Sequence, residues 1–222
     1  MRNTLSLLLS AISAILLLCQ STPAQAAKTV TNPYTYSATT VYMGYVASSS
    51  AVIVAFSRNS DGSCTTNTVG DTSGLTDDLV INGGSAADTM VNVYNAYVSL
   101  CGLSFTQANF NGHTVTVYGK GGADKIWIGG AGNDSAYGGG GNDWIRTLNP
   151  DGTISGEDGN DTLMSDSMSG SNDRTYGGNG DDCLEDQSQS ASTFDCGAGN
   201  DKAFYSYPAY RQNCENTSSS CN

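Results

Sequence analysis

Charge is scarce in this sequence and unevenly divided. Asp, Glu, Lys and Arg make up only 14% of 222 residues, and 21 acids against 9 bases leave a formal net charge of -12. So few bases argue against a surface that tracks phosphates, and therefore against a nucleic-acid partner. So few charges of either sign argue against long surface helices laced with ion pairs. Histidine is nearly absent: His113 stands alone, which excludes H-E-x-x-H zinc chemistry, and its place after Asn111-Gly112 reads as a turn. No G-x-S-x-G elbow occurs, so an α/β-hydrolase nucleophile has no support. The apolar run at 5–18 follows Arg2 and precedes Ala24-Gln25-Ala26, the pattern of a secretory signal peptide cleaved after Ala26. Lipid attachment at Cys19 is disfavoured by the bulky Leu18 before it. No later stretch approaches the ~18 apolar residues that a spanning helix needs.

Beyond the leader, six cysteines remain: Cys64, Cys101, Cys183, Cys196, Cys214 and Cys221. An even number in an exported chain points to disulfides rather than to catalysis or metal capture.

What the sequence has in excess is glycine and acid, both in one place. Residues 119–204 hold 19 of the 27 glycines and 15 of the 21 acids. Aligned on Asp they resolve into nonapeptides at 119–127, 129–137, 138–146, 156–164, 168–176, 177–185 and 196–204. Two match G-G-x-G-x-D-x-U-x throughout, with U a large aliphatic, and the one at Gly129 departs only at Ala136. Glycines in the first six positions allow positive φ and let carbonyl oxygens point inward, while the last three form a short strand with U in the core. Asp and carbonyl oxygens are hard ligands suited to Ca²⁺, which takes six to eight oxygens. One turn cannot supply that number, whereas two stacked turns can.

If nine residues make half a coil, aspartates on one edge lie about 18 apart. Asp124, Asp143, Asp161, Asp182 and Asp201 do so, which predicts one ladder of five rungs with ions between them. The other edge offers Asp134, then Gly152 where an aspartate should be, then Asp173, a broken ladder with room for one or two weaker sites. Asn133, Asn142, Asn160, Asn172 and Asn200, each just before an Asp, read as turn residues with left-handed tolerance rather than ligands.

With these motifs in place, residues 119–204 resemble the RTX, or hemolysin-type, calcium-binding repeat proteins. The resemblance implies an all-β fold, a right-handed parallel β-roll preceded by a β-rich N-terminal segment. It implies Ca²⁺ ligation by Asp124, Asp134, Asp143, Asp161, Asp173, Asp182 and Asp201, with Gly119, Gly129, Gly138, Gly156 and Gly177 opening the turns. The catalytic modules that accompany many members leave no motif here. A secreted, non-catalytic protein whose folding is coupled to calcium is therefore expected. A calcium-dependent enzyme acting on polysaccharide and an adhesin or surface-matrix module are the alternatives, with extracellular polysaccharide or a cell surface as partner.

The expected organisation is a signal peptide at 1–26, a β-rich segment at 27–76, degenerate or calcium-free coils at 77–118, the repeats at 119–204 and a Cys/Tyr-containing cap at 205–222. Asp88, in a degenerate nonapeptide at 83–91, lies two coils before Asp124. The calcium-free coils are expected from Met90 to Leu100 and from His113 to Tyr118. Cys196 and Cys214, 18 residues apart, should bridge stacked coils ~4.8 Å apart. Cys64 pairs with Cys101 by exclusion. Glu157, Asp158, Glu185 and Asp186 read as solvated surface, and Tyr205, Tyr207 and Tyr210 as cover for the open end of the roll.

Overall fold

A short strand bounded by tight turns buries alternate side chains only, so its stability depends on neighbours stacked above and below. The computed structural model describes residues 26–92, 98–129, 133–148, 151–166, 173–187, 192–205, 210–217 and 221; residues 1–25 of the predicted leader, and Tyr207, lie outside them. Its strands stack into two facing sheets. The first runs through Lys28–Thr31, Leu79–Asn82, Val115–Gly121, Ser135–Gly140, Thr153–Asp158, Arg174–Asn179, Thr193–Ala198 and Tyr210–Gln212, each parallel to the next. The second runs through Thr39–Val46, Thr89–Asn92, Lys125–Ile128, Trp144–Thr147, Thr162–Ser165, Cys183–Asp186, Lys202–Tyr205 and Asn216–Thr217, again all parallel. The chain alternates between the sheets, so one strand from each makes a coil of a parallel β-roll. No α-helix occurs among the described residues.

Register turns the U positions into a core. Val30, Ile81, Val117, Ala136, Ile154, Thr175 and Phe194 form a buried column in the first sheet. Val41, Met90, Ile126, Ile145, Leu163, Leu184 and Ala203 face them from the second. Each buried Ile or Leu contributes about 1.5–3 kcal/mol. Thr175 is the exception in this column, and nothing in the structure explains its unpartnered hydroxyl.

The two stacks reach back to Lys28, well before the start near residue 77 that the repeats suggest. Ala51–Arg58 and Cys64–Thr68 then continue the second sheet outward as antiparallel strands. The expected calcium-free coil from Met90 to Leu100 is cut short. Thr89–Asn92 belongs to the roll, but Val98–Leu100 pairs with Leu103–Phe105 as an antiparallel hairpin outside it. The cause is local: Cys101 and Gly102 take φ of 56° and 72°, the double left-handed turn that closes a two-residue hairpin. Phe105 anchors this hairpin against Val46, Ile53 and Ala55.

Three disulfides join Cys64 to Cys101, Cys196 to Cys214 and Cys183 to Cys221. The first ties the hairpin to the antiparallel strands, and the other two tie the last coil to those below. Tyr210 is 68% exposed and so does not cover the end of the roll as expected, while Tyr207 and the side chain of Tyr205 lie outside what is described.

Candidate metal centre

The five in-phase aspartates stand one above another where the first sheet hands over to the second. Each is at most 2% exposed. Their carboxylates are chained by one repeated bond, in which the backbone N–H of one rung donates to Oδ1 of the next. Asp124 donates to Asp143 at 2.7 Å, Asp143 to Asp161 at 2.7 Å, Asp161 to Asp182 at 2.8 Å and Asp182 to Asp201 at 2.8 Å. The second oxygen, Oδ2, is buried without any hydrogen bond in all five. A row of half-satisfied buried carboxylates is costly to leave alone, because each unpaired charged acceptor keeps its desolvation penalty.

Burial accordingly lifts their affinity for protons. Desolvation, aided by neighbouring carboxylates, pushes Asp124 up to about 8, Asp161 to about 7 and Asp182 to about 6. Asp143 and Asp201 are raised for the same leading reason.

Backbone geometry shows why glycine recurs. In the turn that holds Asp161, Gly159 has φ of 138°, and a Cβ there would collide with the carbonyl oxygen of Gly141 in the turn below. At the first turn position the obstacle is the carboxylate itself: a Cβ on Gly119, Gly138, Gly156 or Gly177 would run into Oδ2 of that turn's own aspartate. These glycines leave a cradle lined by an orphaned carboxylate oxygen and by carbonyls of the adjacent coil. Lys120 and Glu157 adopt positive φ without being glycine, at 78° and 76°. No group of three or more His, Cys, Asp or Glu side chains converges among the described residues. Carbonyl oxygens must therefore supply most of the shell, which suits Ca²⁺ and not a softer metal.

Residues 118–148 and 153–167 match the family model of the RTX calcium-binding nonapeptide repeat, in four copies. The turns within those two stretches are RTX repeats. Neither the curated proteins nor the solved structures contain a match to the chain. Calcium is the ion that RTX repeats bind, and the hard-oxygen cradle fits it.

Other predicted residues are placed differently. Asp134 and Asp173 lie on the opposite edge, where their Oδ1 atoms accept from Val115 N–H at 2.8 Å and Gly152 N–H at 3.2 Å. Oδ2 of Asp173 is engaged by the Ser165 hydroxyl at 2.5 Å, and Gly129 opens the turn on that same edge. Asp88 stands one coil before Asp124 and not two, because the hairpin at Val98–Phe105 takes up the intervening chain; it continues the aspartate ladder downward and donates its N–H to Asp124 at 2.6 Å, but its own oxygens are filled. Oδ1 accepts from Thr39 N–H, and Oδ2 from Gly84 N–H and Asn32 Nδ2. Asn142, Asn160 and Asn200 are not left-handed, and Asn172 lies outside the described residues; Asn142 and Asn160 instead accept from the amides of Asn160 and Asp181, a second, outer ladder.

Among the leftover acids, Glu157 and Asp158 are exposed as expected. Glu185 and Asp186 are not, at 6% and 0% exposure. Strand alternation is the reason for Asp186, since it lies two residues after the inward Leu184 and in register with buried Ser165. His113 sits in its expected turn, 3.5 Å from Asp78.

Proposed function

We propose that the chain is a secreted, non-catalytic calcium-binding protein whose β-roll is completed by Ca²⁺. One observation carries this: five successive buried aspartates, each with one oxygen bonded to the rung below and the other unpaired. Ions between Asp124, Asp143, Asp161, Asp182 and Asp201 would neutralise that row in four places. Only the stacked roll assembles the sites, so binding energy becomes folding energy. Secretion is supported by the leader pattern at 1–26 and by three cysteine pairs at bonding geometry, which persist in oxidising compartments.

Calorimetric titration of chelator-treated protein tests the reading. Saturable heat with about four ions per chain is expected at pH 8. Affinity falls at pH 6, because the raised carboxylates then hold protons that calcium must displace. No heat at either pH would overturn it.

A carbohydrate partner is favoured by the outward face of the first sheet. Tyr118 and Tyr137 stack at 5.0 Å there, and Tyr176 follows two rungs on, in register across Ser155. Beside them runs an open groove lined by Lys120, Glu157, Asp158, Asn179, Asp195 and Asn213. Aromatic faces next to amide and carboxylate groups suit sugar rings and hydroxyls. Calcium-dependent retention on immobilised polysaccharide, lost in Tyr137→Ala/Tyr176→Ala, is expected without turnover. Released oligosaccharide would instead favour the enzyme alternative, and retention on cells alone the adhesin one.

A further inference from the structure

The ladder does not stop at the last repeat. Lys202 pairs with Asn216 and Ala203 with Thr217, which sets Glu215 one coil beyond Asp201 at the same level of the turn. The Asp201 N–H donates to Glu215 Oε2 at 3.0 Å, the bond that every aspartate amide below makes to the next carboxylate. Only 14 residues separate the two acids, against 18 to 21 between the rungs below, because the final turn is abridged. Glutamate, one methylene longer, reaches across the shortened turn. The Cys196–Cys214 bridge, with Cα atoms 5.2 Å apart, fixes the residue immediately before it.

Beneath Glu215, Asp201 is fully buried and its Oδ2 has no partner. If the repeat sites ended at the Asp182–Asp201 interval, this final pair of carboxylates would face each other uncompensated. Like charges held at one hydrogen-bonded level repel unless a cation lies between them.

We infer that Asp201 and Glu215 form one more Ca²⁺ site at the C-terminal end of the roll, outside the nonapeptide repeats and made by a residue that belongs to none of them. The inference rests on the calcium reading above. Glu215 is exposed, so water completes the shell and this ion is the most weakly held of the series. Its existence also depends on Cys214, so the bridge that closes the roll positions a ligand as well.

Native mass spectrometry across a Ca²⁺ titration counts the ions directly on the full oxidised chain. Glu215→Gln keeps an acceptor for the Asp201 amide and so should keep the roll's circular dichroism, but it should bind one ion fewer than the wild type. The missing ion should be the last to load. Equal counts with an unchanged final loading step would overturn the inference while leaving the repeat sites intact. A wild type that binds no calcium at all would instead sink the function proposed above.

Discussion

Stripped of calcium by a chelator at pH 8, the chain is expected to lose most of its β-sheet circular dichroism and to expand, and to regain both when Ca²⁺ is restored. Magnitude makes this the largest effect. An ion present at 100 times its dissociation constant stabilises the folded state by about 2.7 kcal/mol, and four such ions by about 11 kcal/mol. A whole domain is stable by only about 5–15 kcal/mol, so calcium decides whether the roll exists. Acidity should modulate the chelated state in a defined direction. Asp124, Asp161 and Asp182 bind protons more tightly folded than at their unfolded value of 3.8, reaching about 6 to 8. Their contribution is therefore fully present below about pH 4 and is lost as pH rises through 6 to 8. The metal-free roll is expected to be more ordered in mild acid than at pH 8. Spectra and hydrodynamic radius that do not change between chelator and millimolar Ca²⁺ would refute the coupling.

Replacing Asp143 and Asp161 together by Asn should have the next largest effect, because those two rungs border three of the four intervals between Asp124 and Asp201. Asparagine keeps the Oδ1 acceptor for the amide below but turns the second oxygen into an N–H donor facing the cradle. Three ions should be lost, and the calcium midpoint for folding should rise at least tenfold, with the double change exceeding either single one. The chelated variant should behave oppositely. Two buried charges are gone, so at pH 8 it should be more ordered than chelated wild type. A purely structural role for these aspartates predicts losses in both conditions. An ion count equal to wild type would contradict their role as ligands.

The repeat region was legible because its signal is periodic: Asp spacing, glycine two residues before nearly every Asp, and U positions that became the core column from Ile126 to Ala203. What was not legible was aperiodic. Val30 and Val41 stack in the same two sheets, yet no Gly-rich nonapeptide separates them to announce a coil. Glu215 was missed because its turn is short and its acid differs; only its position just after Cys214, a cysteine spaced one coil from Cys196, hinted at it. Asp88 is spaced for two coils yet stands one coil from Asp124, and its oxygens are filled by Asn32 and Thr39, 56 and 49 residues away, a pairing no local pattern encodes. Asp186 could have been found, since strict alternation from Leu184 turns it inward.

The amide-to-carboxylate bonds also give the stack a polarity. Each rung's donor is satisfied only by the acid that follows it in the chain, so the two ends are not equivalent. Cutting coils from the N-terminal side uncovers a carboxylate oxygen, cutting from the other side uncovers a backbone N–H, and either cut removes half of an ion site. The two cut faces therefore differ in kind, one presenting acceptors and the other donors, as the two ends of a zipper do.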